Sequence, residues 1–347
     1  MTVPVLRGPY LADLLAQPGA VAATHAALGP DAAIAAIAER LAGGAFDRVL
    51  LTGMGSSLSA LHPLALRLVE HGLAPLHLDT SELLHAMPRL LRARTLVIAV
   101  SQSGRSAEIV RLAGRPGREE TLVAVTNTPT SPLAQAADAT LLTAAGEEST
   151  VSCKTYVATL AALAFVGDVL TEGGPGRDHA ALAEAPAALA AYLARWEAHV
   201  AGLLDLVDGV RDVVFAGRGS SVAAAATAGL IVKESSRVHA EGMTSAALRH
   251  GPLEMAAGHV LAVVYEGDPE AAPLNAALVA DLRRAGARAH LAGIHAEHPA
   301  LALAAAAPAL RPLLEILPAQ MLSLALAARA GIEAGRFEHA TKVTTTE

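Results

Sequence analysis

A strand-turn-helix opening occurs twice in this 347-residue chain. Arg48-Val-Leu-Leu-Thr-Gly-Met-Gly-Ser-Ser57 returns as Asp212-Val-Val-Phe-Ala-Gly-Arg-Gly-Ser-Ser221, with Gly53 and Gly217 standing 164 positions apart. Each copy runs on through an apolar helical stretch to a carboxylate at the same offset, Glu70 and Glu234. Self-similarity over this span marks a duplicated α/β unit rather than one continuous design. Around the two openings, short apolar runs at residues 49–51, 75–78, 96–100, 122–125 and 139–142, then 213–215, 260–265 and 289–293, alternate with helical segments. Buried runs that alternate with helices imply a parallel sheet covered on both faces. The predicted fold is therefore α/β, with two tandem domains. Each is a parallel sheet flanked by helices, a three-layer αβα arrangement of the flavodoxin-like or Rossmann-like kind.

The segments follow from local signals. Residues 1–46 read as a leader of one or two helices, the second over 31–41, capped by Asp31 and stopped at Gly43-Gly44. Residues 47–172 form the first domain, closed by a long apolar helix at 156–171. Gly173-Gly-Pro-Gly176 opens a linker that, with a connecting helix at 187–204, fills residues 173–205. Residues 206–330 form the second domain and 331–347 a polar tail. A net charge of −7 with 17% charged residues and no basic run argues against nucleic acid as a partner. Residues 1–10 lack a positive region followed by an apolar core. The richest apolar stretch, 299–332, is interrupted by Pro308, Arg311, Pro312, Glu315 and Pro318. We therefore expect a cytoplasmic protein with no membrane span. Cys153 is the sole cysteine, so no internal disulfide and no cysteine-based zinc cage can form.

The halves differ where chemistry would sit. In the first, Val97-Ile-Ala-Val runs into Ser101-Gln-Ser-Gly-Arg-Ser106, a turn of hydroxyls and a glycine at the start of a helix, where free N–H groups favour an anion such as a phosphate monoester. Ser57 adds a hydroxyl from the corresponding turn of the adjacent βα unit. The plainer reading is a tight turn with a helix cap. In the second half the equivalent stretch is Leu261-Ala-Val-Val-Tyr-Glu-Gly-Asp268, so the anion site is expected in the first half alone. Gly53-Met-Gly-Ser-Ser-Leu58, with Asp79 closing the second strand, invites a dinucleotide reading, but Leu58 occupies the place of the third glycine. Ionisable residues gather in Lys233-Glu-Ser-Ser-Arg-Val-His-Ala-Glu241 and in Arg249-His-Gly-Pro252. Glu234 follows Leu230, Ile231 and Val232, where desolvation would raise a carboxyl toward the range of a useful base. His250 precedes a Gly-Pro helix stop, where a helix end favours imidazolium. His239, Glu241 and His259 are read as structural.

Taken in order, these motifs, with Gly146-Glu-Glu-Ser-Thr-Val-Ser-Cys-Lys154, Leu248-Arg-His-Gly-Pro-Leu253 and Ala340-Thr-Lys-Val-Thr344, resemble the double sugar isomerase (SIS) domain proteins related to the isomerase half of glucosamine-6-phosphate synthase. The resemblance runs from about residue 47 to the end. It implies two tandem SIS domains and a phosphate held by Ser57, Ser101, Ser103 and Ser106 with Gln102 alongside. Glu234 matches the base that moves a proton between C1 and C2, His250 the ring-opening histidine supplied by a neighbouring subunit, and Lys342 the tail lysine that reaches the sugar carbonyl. Thr150 and Ser152 become candidates for contacts to the sugar. The implied protein is a homodimer with shared active sites and no metal or cofactor, the tail lying over the site. Three positions depart from the synthase. Thr2 stands where its glutaminase begins with a cysteine, so glutamine-dependent synthesis is not expected here. Ile231 replaces a second lysine, and Arg105 replaces an acidic residue. The last feature is more similar to the stand-alone deaminase branch, which implies conversion of glucosamine 6-phosphate to fructose 6-phosphate and ammonia. Deglycation of a fructosamine 6-phosphate, simple sugar-phosphate isomerisation and a non-catalytic sugar-phosphate sensor are the alternatives.

Overall fold

Thr95-Leu-Val-Ile-Ala-Val100 has no polar side chain after Thr95, and such a run is stable only inside a sheet covered on both faces. In the computed structural model, which describes residues 6–346, it is the central strand of five. Residues 1–5 of the expected leader and Glu347 of the tail lie outside the described residues. The chain divides into two units. The first comprises Gly19–Glu148, Lys154–Glu184 and the tail from Ala340. Its strands are β1 (Arg48–Gly53), β2 (Leu76–Asp79), β3 (Thr95–Val100), β4 (Thr121–Thr126) and β5 (Ala139–Leu142). They pair in parallel in the order β2-β1-β3-β4-β5. Leu50, Val97, Ala99 and Leu122 pack with Ile109 and Leu112 of the helix Ala107–Ala113 on one face. Lys154–Glu172 is buried over nearly its whole length. Its Asp168, fully buried, pairs with Arg67 at 2.6 Å and accepts the Gly176 and His179 main-chain N–H groups. Those bonds satisfy the charge on both sides and pin the start of the linker.

The second unit comprises Ala185–His339 with Ser149–Cys153 and the N-terminal segment up to Pro18. Strands β6 (Asp212–Gly217), β7 (His239–Thr244), β8 (Val260–Tyr265) and β9 (Arg288–Ala292) pair in parallel in the order β7-β6-β8-β9. The helices Ser221–Ser236 and Arg311–Ala330 pack against each other. The N-terminal segment is held by buried side-chain bonds, Tyr10 to Ser323 at 3.0 Å and a reciprocal amide pair between Gln17 and Gln320.

Four features differ from the sequence reading. The described leader has three helices, Pro9–Leu15, Gln17–Ala27 and Ala32–Ala42, rather than one or two. Asp31 caps the last as expected, accepting from Ala33 and Ile34. The connecting helix is broken into Ala185–Leu193 and Trp196–Leu203. Strand β7 falls where the sequence shows no apolar run. It is an edge strand with one fully buried side chain, Ala240, and what it packs is its backbone. A Cβ at Gly242 would stand 2.0 Å from the Ala225 carbonyl oxygen, and one at Gly229 2.6 Å from the Gly242 nitrogen. Glycine at both places lets strand and helix meet main chain to main chain. Finally, Pro318 does not interrupt the apolar stretch, since Arg311–Ala330 runs through it. Burial on all sides holds this turn together despite the missing N–H. Lys154–Glu172 and Pro308–Ala330 are long and apolar enough to cross a membrane, and 83% of an apolar 18-residue stretch of each lies buried within the fold.

Candidate functional site

In the first unit the strand order reverses between β1 and β3, the place where open α/β sheets hold ligands. Gly53 at the end of β1 is in register with Val100 at the end of β3, so the turns that follow open at the same edge. A Cβ at Gly53 would come within 3.0 Å of the Val100 carbonyl oxygen, which accounts for glycine there. After β3 the Ser101 hydroxyl accepts the Gly104 N–H at 3.1 Å and the Ser103 hydroxyl accepts the Arg105 N–H at 3.1 Å. A hydroxyl that accepts still has its own proton to donate, so both suit an anionic oxygen. Gly104 adopts φ +60°, and a side chain there would drive into Ser131. The Gln102 carbonyl accepts from the Asn127 N–H and the Thr126 hydroxyl, tying the turn to the end of β4. Ser106 precedes the helix Ala107–Ala113 without a side-chain capping bond, leaving its hydroxyl uncommitted to the helix. Ser57 is half-buried in the helix Gly55–Ala60 that follows β1. Arg105 is exposed and donates to the Thr130 carbonyl. Asp79 is spent as a helix cap, accepting from Ser81 and Glu82.

The C-terminal tail from Ala340 on belongs to this unit. The Thr344 carbonyl accepts the Ala107 N–H at 3.0 Å, next to Ser106. Lys342 donates to Glu148 at 2.6 Å, and the same carboxylate, with no exposed surface, accepts the main chain and hydroxyl of Thr155. Asn127 links the loops, its side chain bonding Thr143, Ala145 and the Gly146 carbonyl. The structure thus brings Ser57, Ser101, Gln102, Ser103, Ser106 and Lys342 into one unit and adds Glu148, which the sequence reading left inside a motif without a role.

Glu234, His250, Thr150 and Ser152 belong to the second unit. Glu234 lies half-buried in the last turn of Ser221–Ser236, beside buried Ile231 and Val232. Ser235 and Ser236 donate back to the Ile231 and Val232 carbonyls, and Arg237 ends the helix in the left-handed region at φ 58°. The Gly335 N–H then bonds the Ser235 carbonyl. His250 is exposed and follows a helix of only five residues, Ser245–Arg249, its N–H bonding the Ala247 carbonyl. Thr150 and Ser152 are half-buried in the short stretch Ser149–Cys153.

The turns of the second unit that match the serine turns differ in chemistry, with Arg218 in one and Glu266 and Asp268 in the other. Ser221, the counterpart of Ser57, is fully buried and donates to Glu315 at 2.7 Å. A Cβ at Gly219 would meet an Asp268 carboxylate oxygen at 3.0 Å, and Asp268 pairs with Arg311. The Ser221 proton is thus committed to Glu315 and is not offered to an anion. Burial pushes the Glu315 carboxyl up from 4.5 to about 7, with Ser221 and Arg311 opposing it. Such a group costs nothing while it is protonated in both states. As pH rises the unfolded chain ionises first, and the folded chain loses up to about 3 kcal/mol between pH 4.5 and 7. Glu315→Gln should therefore gain on the parent by about that amount between pH 4.5 and 8 in urea unfolding. A pH-independent difference would show that Glu315 ionises normally.

Residues 46–167 match the SIS domain. A glutamine–fructose-6-phosphate aminotransferase (isomerizing) of Thermococcus kodakarensis is 32% identical over 259 residues, 71% of this chain and 42% of that protein. The chain spans about half the length of the curated relatives it matches. Among solved structures, the glucosamine-6-phosphate deaminase of Thermotoga maritima superposes with a TM-score of 0.78 at 18% identity, covering 98% of this chain and 100% of that one. The C-terminal domain of glucosamine-fructose-6-phosphate aminotransferase from Francisella tularensis gives 0.77 at 21% identity, covering 95% and 98%. Both show that the two-sheet α/β fold is shared.

Proposed function

Taking the SIS domain at residues 46–167 as the premise, we propose that the protein is a phosphosugar aldose–ketose isomerase that deaminates an amino-sugar 6-phosphate, with glucosamine 6-phosphate and water giving fructose 6-phosphate and ammonia. The observation that carries this reading is the serine turn at the switch point of the first sheet. There Ser101 and Ser103 accept main-chain N–H groups and keep their protons for an anion. The names of the aminotransferase and deaminase relatives supply the substrate class. We read the second unit as a second, diverged SIS domain, because Asp212–Ser221 repeats Arg48–Ser57.

In this reading Ser57, Ser101, Ser103, Ser106 and Gln102 hold the phosphate, and its binding energy orients C1 and C2. His250 of a neighbouring subunit moves the proton that opens the ring. Glu234 takes the C2 proton and returns it to C1 through an enolamine. Water then displaces ammonia from the resulting C2 imine. Lys342 leaves Glu148 for the sugar carbonyl, and Thr150 and Ser152 contact sugar hydroxyls. The reading calls on no metal or cofactor. Incubation of the purified protein with a panel of amino-sugar and ketose 6-phosphates, scored for ammonia and for isomer, tests it. Isomer without ammonia would leave a simple isomerase, and neither product would refute the enzyme.

The phosphate anchor carries its own prediction. Ser103→Ala should weaken binding of the sugar phosphate by about 1–3 kcal/mol, the cost of one hydrogen bond to a charged group. Calorimetry with the competent substrate or with inorganic phosphate reads this. An unchanged affinity would place the phosphate elsewhere.

A further inference from the structure

A cavity of about 610 Å³ opens in the second unit, and its walls come from that unit alone. None of its residues is among those assigned to the sugar-phosphate reaction. The size is that of a small-molecule site. Pro269, Pro273, Leu291, Ile294, Leu303 and Leu314 supply an apolar wall, and Ile294 at 56% exposure leaves apolar surface open to solvent. The polar residues are Glu266, His295, Arg311 and Glu315.

Their partners decide what the cavity can hold. Arg311 is taken by Asp268. Glu266 is held by the ring and main chain of His295. One Glu315 oxygen accepts the Ser221 hydroxyl, while Oε2 is buried with no hydrogen-bond partner among the described residues. Glu315 is 2% exposed, so a donor reaches that oxygen only as the cavity lining gives way toward it. Once Glu315 is ionised, a buried acceptor left open is costly, and it rewards whatever donor fills it. Of the lining residues, Glu266 and Glu315 stand against Arg311 and His295, and Arg311 is already neutralised by Asp268 behind it, so a cation is favoured over an anion once Glu315 ionises.

We propose that this cavity binds a small organic ammonium with an apolar body, its N–H donating to Glu315 Oε2 and its hydrocarbon lying against the proline and leucine wall. The site occupies the position in the second unit that the serine turn occupies in the first, with carboxylates in place of its hydroxyls. Its existence does not depend on the sugar-phosphate reading. Because Glu315 must ionise to pair with the ammonium, binding strengthens as pH rises through neutrality. Glu266, Asp268, Arg311 and His295 are the other charged or titratable groups around it.

The test is calorimetric titration of the whole chain with cyclohexylammonium, cyclohexanol and cyclohexanecarboxylate, three probes of one shape and different head groups. The ammonium should bind saturably, about tenfold or more tighter than the alcohol, and the carboxylate should not bind. Glu315→Gln should weaken the ammonium by about tenfold or more and leave the alcohol unchanged. Ala276→Phe, at an exposed position of the lining, should block both, which keeps the test open if Glu315→Gln does not fold. Absence of saturable ammonium binding, equal binding of ammonium and carboxylate, or binding untouched by Glu315→Gln in folded protein would each overturn the assignment, as would ammonium binding that survives Ala276→Phe.

Discussion

Glu234→Gln is expected to lower turnover by about 10²–10⁴-fold while leaving the affinity for phosphate nearly unchanged, because it removes the general base of the proposed mechanism without touching the serine turn. Glutamine has the shape of glutamate, so the last turn of Ser221–Ser236 should stand as it does now, held by the back-bonded Ser235 and Ser236 and by the left-handed Arg237 cap. Two measurements separate the roles. Exchange of the C2 hydrogen with solvent deuterium reports the proton step, and calorimetry with the sugar phosphate reports binding. Exchange should vanish and binding persist. Loss of both would make Glu234 a structural residue, and a variant retaining substantial exchange would exclude it as the base.

What could be read from the sequence, and what could not, follows from where each residue's interactions go. The strands β1, β3, β4, β6 and β8 announce themselves because both faces are buried and nearly every position must be apolar. Strand β7 is silent because its packing is made by Gly242 and the main chain, which leave no hydrophobic period. Pro318 misled for a related reason, since a helix buried on every side can carry a proline that an exposed one could not. At the candidate site, Ser101 and Ser103 were legible as a turn of hydroxyls, because the turn chemistry is local in sequence. The Thr344 bond to Ala107 was not, since it joins residues far apart in the chain through a carbonyl that any residue could offer. Glu315 signals more than an interrupted apolar stretch. A lone carboxylate in Leu313-Leu-Glu-Ile-Leu317 interrupts an apolar run, and a charge in such a place needs either a partner or a function.

Mixing Glu234→Gln chains with His250→Ala chains, each inactive alone, should restore activity once subunits exchange. His250 is exposed in the single chain and stands beyond a five-residue helix just before Gly251 at φ 119°, a placement outside the core of its own chain. If its ring completes the partner's site, a heterodimer holds one site with both residues intact and one with neither. Random exchange of equal amounts makes half the dimers mixed, so about a quarter of all sites should work and the specific activity should approach about a quarter of the parent's. A site complete within each chain predicts something different, because every chain in the mixture lacks one residue or the other and no pairing can repair it. Exchange itself is checked by native mass spectrometry of differently tagged chains. Mixed dimers without recovered activity would refute the shared site, whereas recovery that rises and saturates with the fraction of mixed dimers would assign His250 to the partner's chemistry.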